Sequence, residues 1–312
     1  MKKIPLIGPD PLTPEWRAKR SEIIGSSEAA AACGMSEYKT PLQLYLEKIG
    51  EIDPFAGNDH TRRGRRYEPL IAEDWQELTG RKLRRYPCPM FLHPDHRGIA
   101  ATPDGEIDDD EGLEIKSTTF RMRRKLGEED SDDIPNDWLF QAQQQCMVMG
   151  WRVVHFCILV DLEPCAYRVD RNEDLIDLMI AAELELLERI KDRCPPEPTW
   201  THPSTPKLIR EIHKHVNDVR VELSLEACQA RRRYEELADA IKTAEKEQKE
   251  CQAFYEHEIG DNFAGVLDDG RMIRRKWIEG GHRSFDVAGR FDYRAVKFDG
   301  GPIVNLTEGA LT

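Results

Sequence analysis

The fold class this sequence predicts is α/β, a central mixed sheet flanked by helices. Three observations carry it. Residues 153–160 are a near-continuous apolar run, as a strand buried on both faces requires. Segments with helical periodicity, 138–149 and 175–190, stand on either side of that run. Two extended segments, 98–107 and 113–118, are joined by Asp108-Asp109-Asp110-Glu111-Gly112, a solvated turn in composition. Helix, antiparallel strands, helix and buried strand form an α/β sandwich rather than the repeating order of a doubly wound sheet.

Taken in order, Ile24-Gly25-Ser26-Ser27-Glu28-Ala29 reads as a serine-capped helix start. Residues 68–78 read as a helix ending near Gly80, with extended pieces after it. Cys194-Pro195-Pro196-Glu197-Pro198 and the 201–206 stretch break the pattern and mark a boundary. Between 207 and 259 there is neither glycine nor proline. Apolar or small residues step there by three and four through Ile209, Ile212, Val216, Val219, Leu223, Ala227, Ala230, Tyr234, Leu237, Ile241 and Ala244, with Cys251 and Tyr255 continuing past Gln248. One straight helix of that length would extend on the order of 70 Å, so it either projects or folds back as a hairpin, and packing on the core is as good an expectation as an inter-subunit coiled coil. Residues 263–276 read as a β-hairpin turning at Asp268-Asp269-Gly270. The expected domains are a core over 1–200, a long helix or helical hairpin over 201–262, and a hairpin with a tail over 263–312.

Composition narrows the function classes. With 39% hydrophobic and 33% charged residues the chain is globular in character. No segment approaches the roughly 20 apolar residues that span a bilayer, and the apolar start is broken by proline, so a cytosolic protein with no membrane partner is expected. The eight cysteines form no C-x-x-C pair, which argues against zinc and disulfide frameworks and for reduced, mostly buried thiols. A net charge of -13 argues against a protein that coats nucleic acid by charge alone. It leaves room for a local basic groove, and basic runs at 62–66, 81–85 and 121–125 flank the carboxylates described next.

The chemistry sits in Pro103-Asp104 and, ten positions later, Glu114-Ile115-Lys116. On paired strands the two-residue alternation puts Glu114 and Lys116 on one face, where Asp104 can meet them. Two carboxylates at one spot suit Mg²⁺, which keeps several waters and takes further ligands from phosphate. A lysine beside them can orient a metal-bound water, the chemistry of phosphodiester hydrolysis. Glu68 supplies a third carboxylate, or else a dipole partner at a helix start. Of Gln141, Gln143 and Gln145, at least one is expected to reach the groove, with solvent exposure explaining the others. The hydroxyls and N–H groups near Ser27, with Arg20 close by, can hold a phosphate.

In order, these segments resemble the lambda-exonuclease and YqaJ-like viral recombinase family within the PD-(D/E)XK nucleases. The resemblance covers residues 14–160 through Trp16 with Arg20, 24–28, 35–41, 64–69, 101–105, 112–116 and the glutamine helix ending at Gly150. It implies a restriction-endonuclease-like core that digests linear duplex DNA from the 5′ end with Mg²⁺, Mn²⁺ being a possible substitute, and leaves a 3′ strand for a single-strand annealing protein. It further implies metal binding by Asp104, Glu114 and the Ile115 carbonyl, with Glu68 on a second ion. Lys116 then positions the water, Gln141 supports that lysine or the scissile phosphate, and Arg20 and Ser27 grip the 5′-phosphate. A homotrimer, encoded by a phage or prophage and acting in the bacterial cytoplasm, is implied as well. The competing readings are an endonuclease or repair nuclease on the same core, and a DNA-end-binding protein without activity. The region after 200 has no counterpart in the shortest family members, and Arg274-Arg275-Lys276-Trp277 with Phe285-Asp286 resembles extensions on other phage nucleases.

Overall fold

A computed structural model describes residues 6–9, 13–215, 219–275 and 303–304. The chain divides into two compact units, residues 1–215 and 216–312.

The first unit opens with β1 (Leu6–Ile7), α1 (Pro14–Ser21) and β2 (Ile24–Gly25), followed by a 3-10 turn over Ser26–Glu28 and the short α2 (Ala29–Ala32). α3 (Pro41–Ile49) starts where Thr40 Oγ1 accepts from the N–H of Gln43 at 3.1 Å, with proline in its first turn. α4 (Asp59–Thr79) is capped by Asn58, whose Oδ1 accepts from the N–H groups of His60 and Thr61, and it stops at Gly80, φ 68°. β3 (Phe91–Leu92), β4 (Ile99–Ala101) and β5 (Gly105–Glu106) lead into β6 (Glu111–Thr118), and the single turn α5 (Phe120–Arg123) follows. α6 (Asn136–Met149), β7 (Val153–Val160), β8 (Glu163–Asp170), α7 (Glu173–Asp192) and α8 (Thr205–Ile212) complete the unit.

The fold is mixed α/β, as expected. One sheet has the order β1-β3-β4-β2; the other runs β5-β6-β7-β8, with β6 and β7 parallel and both outer pairs antiparallel. Alternation along β6 sends Leu113 and Ile115 toward Ile71, Ala72 and Trp75 of α4. The opposite face of the sheet packs Phe156 and Ile158 with Ala142 and Cys146 of α6. Each large apolar side chain fully buried in these layers contributes about 1.5–3 kcal/mol. Glycine is required at position 112, where an added Cβ would fall 2.0 Å from the Trp151 ring, itself 1% exposed. Gly112→Ala is therefore expected to lower stability by about 1–3 kcal/mol through overpacking, read as a lower urea midpoint at unchanged m-value.

Several sequence expectations are corrected. The helix expected over 68–78 begins at Asp59, so the 62–66 basic run lies inside it, and Glu68 stands mid-helix rather than at the N-terminus, which removes its dipole role. The 98–107 strand is broken between β4 and β5 at Thr102-Pro103-Asp104, because proline cannot donate to the ladder. No serine caps the 26–28 turn; instead, the Glu28 carboxylate folds back onto the Gly25 N–H at 2.9 Å.

The helix expected over 207–259 is also interrupted. α8 ends at Ile212 inside the first unit, where Leu208 packs with Leu44 and Leu46, so the first unit extends past the expected boundary at 200. In the second unit β9 (Arg220–Val221) precedes α9 (Leu225–Ile259), since the β-branched Val219 and Val221 favour extended backbone and Ser224 caps the new helix at the N–H of Ala227. The expected hairpin is present as β10 (Ala264–Val266) and β11 (Met272–Arg274), and β9 pairs in parallel with β12 (Ile303–Val304). Val216, Lys276, Trp277, Phe285 and Asp286 lie outside the described residues. All eight cysteines are free, and no helix among the described residues is long and apolar enough to cross a membrane.

Candidate active site

Asp104 reaches the site from the break between strands. β5 pairs with β6 only at Leu113 and Gly112, so the Ile115 N–H lies beyond the end of β5. The Asp104 carboxylate takes the missing strand's place and accepts that N–H at 2.7 Å. Glu114 and Lys116 share a face of β6, as expected, and the ammonium donates to Glu114 Oε1 at 2.6 Å.

α6 supplies the remaining donors. Gln141 Nε2 donates to Glu114 Oε1 at 2.5 Å and Gln141 Oε1 accepts from Lys116 at 2.9 Å, while Gln145 Nε2 donates to Glu114 Oε2 at 2.6 Å. Glu114 is 3% exposed, so three donors on its two oxygens fix one orientation in a poorly solvated place. The Lys116 ammonium also lies 6.0 Å from the Trp138 ring centroid.

Solvent exposure, offered for two of the glutamines, is overturned. Gln143 and Gln145 are 2% and 0% exposed, and Gln143 joins the carbonyl of Asp170 to the N–H of Asn172. Burial of these amides follows from α6 being covered on more than one side. Gln145 was missed as a holder of Glu114; its i, i+4 spacing from Gln141 was the available signal. Gln144 was missed too. It donates to the carbonyls of Ile24 and Ala100 at 3.0 and 2.8 Å, tying β2 to β4.

Charge is concentrated here. Burial, then the neighbouring Glu114 and Glu68, hold the Asp104 carboxyl well above the usual carboxylate range. Burial and Glu114 raise Glu68 as well. Burial would lower Lys116, yet Glu114 and Asp104 outweigh it, so the ammonium is held more firmly than usual. Among the described residues no three His, Cys, Asp or Glu side chains form a metal-holding group, so Glu68 belongs to the electrostatic neighbourhood and does not complete a three-carboxylate cage. The donor set still fits a hard cation: two adjacent carboxylates with a third close enough to repel them outnumber Lys116 and Arg65, and Mg²⁺ needs only one or two such ligands. Glu68 and Asp104 line an open cavity of about 570 Å³ together with Arg65 and Thr102.

Thr102 also belongs to a second, narrower cavity of about 50 Å³, lined by Arg20, Gly25, Ser26, Ser27 and Gln141. Arg20 Nη2 donates to Ser27 Oγ at 3.3 Å and stands 5.1 Å over the Trp16 ring. Arg20 and Lys48 both pair with Glu28, at 2.9 and 2.8 Å. Burial would raise Glu28, but the two cations bring it down to about 2, and of the three charges only Arg20 lines the cavity. Arg20 and Ser27 thus share one cavity with Gln141.

Residues 15–152 match the model of the YqaJ-like viral recombinase domain. The chain is 24% identical over 259 residues to the protein YqaJ of Bacillus subtilis, spanning 81% of this chain and 80% of that one. A protein of Acanthamoeba polyphaga mimivirus is 26% identical over 159 residues, 47% of this chain and 28% of its own length. Among solved structures, the alkaline exonuclease from Laribacter hongkongensis superposes with a TM-score of 0.50 at 20% identity, over 65% of this chain and 99% of that one, which establishes a common fold. Over residues 15–152, less than half of its length, the chain is thus similar to the YqaJ-like viral recombinase domain.

Proposed function

We propose that the protein is a metal-dependent exonuclease that shortens linear duplex DNA from its 5′ end and leaves a 3′ single strand for an annealing partner. The observation that carries this reading is Gln141, which holds Glu114 and Lys116 on one side and lines the Arg20–Ser27 cavity on the other. A cleavage centre joined by one side chain to an anion pocket suits an enzyme that grips a terminal phosphate while cutting next to it.

Asp104, Glu114 and the Ile115 carbonyl would hold Mg²⁺ or Mn²⁺, with Glu68 on a second ion. When bound, the ion lowers the pKa of water and neutralises charge at the attacked phosphate. The protein's own groups do the rest. Lys116, kept protonated by two carboxylates, donates to the attacking water or to a phosphate oxygen; Gln141 and Gln145 keep Glu114 from rotating; Arg20 and the Ser27 hydroxyl receive the phosphate. A trimeric assembly and action in the cytoplasm of a phage-carrying bacterium go with this proposal.

The test is digestion of linear duplex bearing 5′-phosphate or 5′-hydroxyl ends, with closed circular duplex alongside, each with and without Mg²⁺. Mononucleotides should appear only with metal and faster from the phosphorylated end. Arg20→Ala should narrow that end preference by about tenfold, the worth of one charge-assisted contact. Nicking of circles as fast as shortening of linear duplex would favour an endonuclease, and binding of ends without product a non-catalytic role.

A further inference from the structure

α9 presents a seam of apolar and small residues, broken once by Gln248, that is exposed along its middle. From Ala227 to Tyr255 the stripe steps alternately by three and four residues, the a/d spacing of a coiled coil, over four heptads. Along its middle Tyr234, Leu237 and Ile241 are 64%, 45% and 58% exposed, and within this 35-residue helix only Ile259 is buried. A helix about 52 Å long draws its stability from packing, and this one has its packing face in solvent.

The flanking charges say what covers it. Beside the seam, the e and g positions carry Arg231 and Arg233 in the N-terminal half and Glu245 and Glu247 in the C-terminal half, with Ala238 and Ala240 between them. That order is self-complementary under a two-fold axis at Asp239. In the antiparallel arrangement Arg231 faces Glu245 of a second copy and Arg233 faces Glu247, and symmetry repeats both pairs. The same axis sets Ile241 against Leu237 at the centre, the large Tyr234 against the small Ala244, and Ala227 against Cys251.

Parallel pairing in register matches only Glu226 with Arg231 and puts Arg233 opposite Ala238 and Glu247 opposite Gln252. In the single chain Arg231 and Arg233 bond to Glu235 and Glu236 on the same helix, at 2.9 Å each, through exposed pairs that exchange at little cost.

We propose that α9 is a self-association element: two copies of this chain, from different trimers where the trimer proposed above forms, join through an antiparallel two-stranded coiled coil centred on Asp239. This does not depend on the catalytic reading.

The experiment uses the full-length protein and reads its mass in solution by sedimentation across a concentration series. Arg231→Glu with Arg233→Glu places like charges opposite at four points; it should halve the assembled mass at low concentration and raise the dissociation constant of the pair about a hundredfold. Adding Glu245→Arg and Glu247→Arg to that variant should restore the original mass. Orientation is read by mild oxidation of Ala227→Cys followed by peptide mapping, with a disulfide between residues 227 and 251 of different chains expected. Unchanged mass in the charge-reversed variant, failure of the fourfold swap to restore assembly, or a dominant disulfide joining Cys251 to its own counterpart would each overturn the proposal.

Discussion

Lys116→Ala is expected to lower the rate of nucleotide release by about a thousandfold, within the range typical for removing a positioned proton donor or electrostatic stabiliser. The expectation rests on geometry. The ammonium is the cation touching Glu114, at 2.6 Å, and it is locked from the other side by Gln141 at 2.9 Å. Without it, Glu114 keeps its two glutamine donors and so its orientation, while the group proposed to meet the attacking water or the phosphate is gone. DNA affinity, which comes mainly from phosphate contacts spread over the surface, should change by less than about threefold. Removing a partly buried cation from a cluster of carboxylates also costs stability, so Lys116→Met, which keeps the aliphatic stem, is the companion variant. Both should lose cleavage and retain binding, measured by product release and by mobility shift in Ca²⁺. Undiminished cleavage by a folded Lys116→Met protein would remove Lys116 from the mechanism.

The sequence made β6 legible as the strand of the candidate site because its signal is local. Glu114 and Lys116 are two residues apart, and the strand period alone puts them on one face. Asp104 was legible as a member but not in its manner of arrival, since whether Pro103 ends a strand depends on where its neighbours pair. The glutamines of α6 show the limit more plainly. A polar residue on a helix reads as exposed, and burying four amides becomes acceptable only when each finds a partner across the chain, as Gln144 does with Ile24, 120 residues away. The joining of the Arg20–Ser27 pocket to the Glu114–Lys116 cluster is likewise a product of β2 pairing with β4, a register that no local pattern encodes. For α9 the heptad spacing was plain, while its start at Ser224 rather than 207 was decided by a few β-branched residues.

Glu183→Met is expected to stabilise the first unit, against the usual direction of a core substitution. Glu183 lies on α7, is 0% exposed, and neither of its carboxylate oxygens has a hydrogen-bond partner. Burial, with Glu28 adding to it, holds its carboxyl well above the ordinary value of 4.5, so the folded protein keeps this proton beyond the pH at which an ordinary glutamate loses it. The unfolded chain releases that proton once the pH passes about 4.5, so above this point the folded state binds one more proton than the unfolded state. Stability must then fall with rising pH, by up to about 1.4 kcal/mol per unit, until the folded carboxyl itself ionises. Methionine matches the volume and carries neither the proton nor the unpaired oxygens. The variant should be more stable by about 1–3 kcal/mol near neutral pH, and this part of the slope should vanish. Glu183→Gln separates the two contributions: it removes the titration but keeps a buried polar group, so it should flatten the slope with a smaller gain. Urea unfolding at pH 5, 6, 7 and 8 reads both, and parallel pH profiles for the wild type and the two variants would show that Glu183 is solvated or ionised in the folded protein. Burial also pushes the nearby Cys33 thiol up to about 12, and because Glu183→Met leaves that burial in place, Cys33 should stay slow to alkylate in the variant as in the wild type.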